Sequence, residues 1–258
     1  LNTYKFYQNF LKKNFSFNCK NQNHVSSEII YIAANALSSQ NIYSLSNFYL
    51  NLAKYLNKDF HSYDTLLAEN FYKINEYKSA KKIYEKLSRR GESLKWYSNK
   101  QISRILTVED KKEKSVQLLR RAYDELSLKG IYETFDYAEF LKNNEEFEES
   151  INYYSIILDQ INNDHPLFPE VTDGRGIAYE RTGQWEKAEK DLLSSLEARP
   201  DQAYVINYLA YSWIEQGINI NKSLNMLERA NKIKQNDPYI IDSLGWALFK
   251  LERYEESK

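Results

Sequence analysis

One cysteine, Cys19, stands among 258 residues, so no disulfide can form within the chain. The three histidines, His24, His61 and His165, are too far apart, and Cys19 too isolated, for zinc-ligand spacing. No metal and no cofactor is expected. Proline occurs four times and glycine seven times, which leaves long stretches free of helix breakers. No run of 18 apolar residues is present, so the sequence holds no candidate for a membrane-spanning helix. Charge of one sign is missing too. Lys and Arg number 35, Asp and Glu 36, and the two kinds are interleaved. A nucleic-acid binder needs a basic stripe, so that partner class is excluded. No nucleophile, base and orienting group stand together, and no enzymatic function is expected. Gly174-Arg175-Gly176 begins like a phosphate-binding loop, but Tyr179 occupies the place of the third glycine and no strand precedes it.

What is abundant is aromatic: 15% of residues, 22 of them tyrosine, within 42% hydrophobic residues. That composition buries a core and does not describe a disordered chain. The lone cysteine fits a reducing compartment and a helical periplasmic protein equally well. The chain starts at Leu1 and stops at Lys258 inside a helical pattern, as a piece of a longer protein would.

A period of about 34 residues organises the sequence. Units start near Ser27, His61, Trp96, Ile131, Pro169, Ala203 and Pro238. Numbered from these starts, the eighth residues are Ala34, Ala68, Ser103, Ala138, Gly176, Ala210 and Gly245. The twentieth are Ser46, Ala80, Ser115, Ser150, Ala188, Ser223 and Ser257, with one extra residue allowed in the turn before Ser223. All are Ala, Gly or Ser. Two helices crossing closely at these two places demand such side chains. Bulk stands beside them at position 11, for example Leu37, Phe71, Leu141 and Trp213. Position 24 does the same, with Leu50, Tyr84, Tyr154 and Leu192. The spacing predicts an amphipathic helix pair in each unit. Trp185 and Trp213 fall on packing positions. The fourth unit carries about four extra residues near 163–166, and the seventh stops at position 21. Residues 1–26 fit the period poorly. Phe6, Tyr7, Phe10 and Leu11 have helical spacing and read as the end of an upstream helix, followed by a polar loop through His24.

The clearest unit runs Gly176-Ile177-Ala178-Tyr179-Glu180-Arg181-Thr182-Gly183-Gln184-Trp185-Glu186-Lys187-Ala188, then Leu192 and Pro200. It resembles the tetratricopeptide repeat. That resemblance covers about nine tenths of the chain and implies an all-α, right-handed solenoid of about seven helix-turn-helix hairpins, residues 27–258. Elsewhere the pattern thins: the usual glycine of position 15 appears only as Gly183 and Gly217, and Lys112 replaces an aromatic.

In this family, positions 2, 5, 9, 12 and 13 of each first helix line a concave groove. The resemblance therefore implies a non-enzymatic scaffold or adaptor that binds a partner protein or an extended peptide. The richest patch of groove positions is Tyr204, Asn207, Tyr211, Tyr239, Asp242, Trp246 and Phe249. Aromatics with scattered polar groups are what a peptide-binding face requires. Position 12 also includes Tyr72 and Ile214. A chaperone-type carboxylate clamp is not expected, because Tyr31 and Leu66 stand where polar side chains are needed. Two other readings stay open: self-association through the apolar end faces, and a substrate-recruiting arm of an enzyme whose catalytic domain lies elsewhere. The segment Asp201–Tyr254 also looks like the last repeats of proteobacterial repeat proteins, some of them envelope lipoproteins. That resemblance implies a bacterial, envelope-associated setting, with the cytoplasm as the alternative.

Overall fold

The computed structural model describes residues 18–58, 60 and 62–257. The aromatic segment Phe6–Leu11 and the repeat start at His61 lie outside them. Thirteen α-helices and no strand occur among the described residues. In chain order they are α1 Gln22–Ser39, α2 Tyr43–Leu56, α3 Ser62–Lys73, α4 Tyr77–Leu87, α5 Glu92–Val108, α6 Lys112–Asp124 and α7 Ile131–Asn143. Then follow α8 Phe147–Leu158, α9 Phe168–Arg181, α10 Trp185–Ala198, α11 Ala203–Glu215, α12 Ile220–Ile233 and α13 Pro238–Lys250. The chain divides into two compact units, residues 1–132 and 133–258. Each is a stack of helical hairpins, and the fold class is an all-α solenoid.

Two boundaries differ from the sequence reading. His24 lies within α1, which starts five residues before the Ser27 repeat start and leaves no polar loop there. Asn21 caps that helix by accepting from the Asn23 N–H. The third hairpin starts at Glu92 rather than Trp96. Its extra turn is fastened by the Glu92 carboxylate, which accepts from the Ser127 N–H and hydroxyl.

The close crossings are where small residues predict them. Ala34, Ser46, Ala68, Ala80, Ser103, Ser115, Ala138, Ser150, Ala188, Ala210 and Ser223 have no exposed surface. Serine at position 20 also fastens the pair. Ser46 Oγ donates to the Ala34 carbonyl at 2.7 Å, and Ser115 Oγ to the Ser103 carbonyl at 2.6 Å. The position-24 residues Leu50, Tyr84, Leu119, Tyr154, Leu192 and Leu227 are buried, each worth about 2–3 kcal/mol of apolar transfer.

The turn inside each hairpin is more regular than its sequence. Position 15 has positive φ in all seven units: Asn41, Asn75, Asp110, Glu145, Gly183, Gly217 and Glu252, between 59° and 75°. In each, the N–H of the next residue donates back to the position-11 carbonyl at 2.8–3.0 Å, from Ile42→Leu37 to Arg253→Leu248. This is the left-handed helix stop that glycine usually supplies. Asn and Asp tolerate it, and two tyrosines reinforce it. Tyr43 Oη donates to Asn41 Oδ1 at 2.6 Å and Tyr77 Oη to Asn75 Oδ1 at 2.7 Å.

Candidate functional site: the first-helix faces

On the first-helix faces of the first unit, a carboxylate, a guanidinium and aromatic rings meet. Arg104 of α5 donates to both oxygens of Glu69 of α3 at 3.1 Å and lies over the Tyr72 ring, 3.8 Å from its centre. Tyr84 Oη reaches the same glutamate at 3.3 Å. Burial, with the Glu69 charge adding, pushes the Tyr97 hydroxyl up to about 12.

The second unit repeats the motif one hairpin pair later. Tyr154 Oη of α8 donates to Glu139 of α7, which also takes Lys142 Nζ at 2.8 Å. Beside them stands Asp173 of α9. Burial raises its carboxyl to about 6. Lys142 opposes that rise, while Glu139 and Glu170 add to it. Tyr208 Oη donates to Glu180 Oε2 at 2.7 Å. Asn207 is half-buried, and its Oδ1 is buried with no hydrogen-bond partner.

Farther along, the surface opens. A cleft of about 570 Å³ is lined by Tyr211, Ile241, Asp242, Gly245, Trp246, Phe249 and Ser257. Trp246 and Phe249 stack with rings 5.4 Å apart and 6° from parallel, and Tyr254 meets Phe249 edge-on. Trp246 Nε1 donates to Glu215 Oε1 of α11 at 2.6 Å, so the indole is held in place. Tyr211 and Phe249 are 39% and 48% exposed, large for aromatics with packed neighbours.

Four of the seven residues singled out in the sequence, Tyr211, Asp242, Trp246 and Phe249, therefore meet around one cleft. Tyr204, Asn207 and Tyr239 do not line it. Tyr204 is a staple: its Oη donates to Asp237 Oδ2 at 2.8 Å and accepts from Lys234. Asp237 in turn caps α13 through the Tyr239 and Ile240 N–H groups. Tyr239 is 73% exposed. Ile214, a groove position by its place in the repeat, is a core residue at 1% exposure, packed with Leu224, Leu227 and Ala247. Sequence reasoning missed Ile241, Gly245 and Ser257. Gly245 and Ser257 are the small helix-crossing positions of the seventh unit.

A second recess of about 540 Å³ lies between residues 163–169 and α10. Its Arg199 is spent on Glu170 and the Pro166 carbonyl. Among the described residues, no group of three or more His, Cys, Asp or Glu could hold a metal. No helix there is long and apolar enough to cross a membrane.

No protein-family model matches the chain. Over 113 residues, 44% of its length, it is 26% identical to a TPR repeat-containing protein of Pseudomonas aeruginosa, of which it spans 18%. Among solved structures, it is similar to the C-terminal part of a TPR repeat-containing protein from Cytophaga hutchinsonii. There the TM-score is 0.58 and the identity 17%, over 88% of each chain. It is also similar to a chain of the APC/C hetero-tetramer Cut9–Hcn1. The TM-score is 0.59 and the identity 15%, over 86% of this chain and 46% of that one. The hairpins thus have the tetratricopeptide fold, a fold used in general for protein–protein interaction.

Proposed function

We propose that the protein is a non-catalytic adaptor that holds an extended segment of a partner protein in the α11–α13 cleft. The supporting observation is the contrast along the first-helix faces. In the Glu69 and Glu139 clusters the carboxylates take donors from Arg104, Tyr154 and Lys142, whereas the α11–α13 cleft displays Tyr211, Trp246 and Phe249 together. Immobile aromatics bury area on binding with little loss of side-chain freedom. Trp246 is fixed by Glu215 before any partner arrives.

The test is differential capture from the cells that make the protein. Wild type is compared with a Tyr211→Ala/Trp246→Ala variant whose helicity matches by circular dichroism. A partner retained by wild type and lost by the variant supports the adaptor reading, and the partner's segment is then titrated as a synthetic peptide by calorimetry. Loss of the central anchor costs about 2 kcal/mol, roughly thirtyfold in affinity. Identical partners on both proteins remove the cleft from consideration. Recovery of this chain alone, with size that grows with concentration, replaces the adaptor by a self-assembling solenoid.

A further inference from the structure

The near-zero net charge conceals a division between the two compact units. Residues 1–132 hold 22 Lys and Arg against 12 Asp and Glu, whereas residues 133–258 hold 13 against 24. In the first unit, the second helices α2, α4 and α6 bury repeat positions 20 and 24 and turn positions 19, 22, 26 and 29 away from the hairpin. On α4 these are Ser79, Lys82, Lys86 and Arg89; on α6 they are Lys114, Gln117, Arg121 and Asp124. On α2 they are Leu45, Phe48, Leu52 and Tyr55, and all four are exposed, Phe48 at 62% and Tyr55 at 77%.

We infer that this outer face of the first unit docks on an anionic phospholipid bilayer surface, the α2 stripe entering the interfacial layer and the α4 and α6 cations meeting lipid phosphates. The stripe is not an uncovered hairpin end. Stacking uses other residues of α2: Leu50 and Ala53 pack with Tyr63 and Leu67 of α3. On α4, which has a hairpin on either side, Lys82, Lys86 and Arg89 stay exposed, so a hairpin stacked before α1 would leave the stripe open as well. Charge names the occupant. The one charged residue of α2, Lys54, pairs with Asp64, so no carboxylate of that helix repels an anionic surface. Lys82, Lys86, Arg89, Lys114 and Arg121 form no ion pair among the described residues, whereas Lys95 and Lys111 of the same unit are taken by Glu125 and Glu109. Exposed apolar groups beside uncompensated cations combine burial in the acyl boundary with headgroup attraction. Nucleic acid would reward the cations and the two rings but not Leu45 and Leu52, which offer nothing for a base to stack on.

The whole chain is sedimented with vesicles of phosphatidylcholine alone and of phosphatidylcholine mixed with phosphatidylglycerol. Wild type is expected to go down with the mixed vesicles, to stay in solution with the neutral ones, and to be released by added salt. Lys82→Gln/Lys86→Gln is expected to weaken partitioning about thirtyfold, each cation being worth about fivefold near such a surface. Phe48→Ser/Tyr55→Ser is expected to weaken it about tenfold or more with thermal unfolding unchanged. A chain that ignores both vesicles overturns the inference, as does equal partitioning onto the two. So does partitioning untouched by Phe48→Ser/Tyr55→Ser, or a single-stranded RNA that the serine variant binds as tightly as wild type does, since the face then reads charge alone. A serine variant that unfolds at lower temperature assigns the stripe to the chain's own packing. Size that grows with concentration in wild type but not in that variant assigns it to a second copy. Either result removes the bilayer.

Discussion

The ring of Tyr154 lies against the backbone of Gly174 so closely that a methyl group built on that glycine would sit 2.6 Å from both Cζ and Oη. It would also meet Glu139 Oε1 at 2.9 Å. The glycine is mid-helix in α9, where alanine would ordinarily be better by about 1 kcal/mol. Here the α8 tyrosine takes the space, because its hydroxyl must pass α9 to reach Glu139. Gly174→Ala is therefore expected to destabilise the second unit by about 2 kcal/mol, within the range of overpacking. Gly245→Ala is the control. Its nearest obstacle is the Ser257 carbonyl at 3.3 Å in the terminal turns, and it is expected to be neutral or mildly stabilising. Urea midpoints at unchanged slope decide the order of the two.

Glu145 holds φ at 64° at the stop of the fourth hairpin, where the fifth and sixth use glycine. A β-carbon in this region costs about 1–2 kcal/mol. Glu145→Gly is expected to raise stability by up to about 1 kcal/mol, part of the relief being offset by the freer unfolded chain. Asn75→Gly should change little, since asparagine accepts the conformation and Asn75 also receives the Tyr77 hydroxyl. If thermal unfolding shows both substitutions equally destabilising, strain at Glu145 is not the governing effect.

Asp173 ties stability to pH. Its carboxyl is raised from 3.8 to about 6 by burial, against the attraction of Lys142 and with repulsion from Glu139 and Glu170. Tyr154 and Tyr208 also feel its charge. The folded chain holds this proton more tightly than the unfolded one, so stability falls as pH rises from about 4 through 6. Above that window the fold carries a poorly solvated anion. Asp173→Asn is expected to stabilise by about 1–2 kcal/mol at pH 7.5, two units being worth at most about 3 kcal/mol. The gain should vanish near pH 4. A gain independent of pH would assign it to packing instead.

The hairpins were legible because close helix crossing leaves a compositional trace: Ala, Gly or Ser is compulsory at two places per unit. The turn was less so. A left-handed residue does not demand glycine, and Asn41, Asn75, Asp110, Glu145 and Glu252 fill that conformation without the expected letter. Site residues were legible only in part, because a position within the repeat states which face a side chain leaves from and not what it meets. Ile214 leaves from a groove position and is covered by Leu224 and Leu227. Tyr204 leaves from another and is tied to Asp237. Ile241, at a position the sequence reading left unassigned, is 48% exposed and lines the cleft.

Arg175 and Asp191 pair α9 with α10 by two hydrogen bonds, Nε to Oδ2 at 2.6 Å and Nη2 to Oδ1 at 2.9 Å. Arg175 also gives Nη1 to Ser155 Oγ of α8 at 3.1 Å, so one guanidinium joins three helices. Both side chains are largely removed from water, at 20% and 8% exposure. Desolvating two charges offsets most of their attraction, so the pair adds little net stability over an apolar substitute. Removing one member is different, because the other stays buried and unpaired. Asp191→Ala is expected to cost about 3 kcal/mol, whereas Arg175→Met/Asp191→Leu should cost clearly less than that single change. A double variant as unstable as the sum of its singles would show that the ion pair itself, and not the avoidance of a lone buried charge, holds α8, α9 and α10 together.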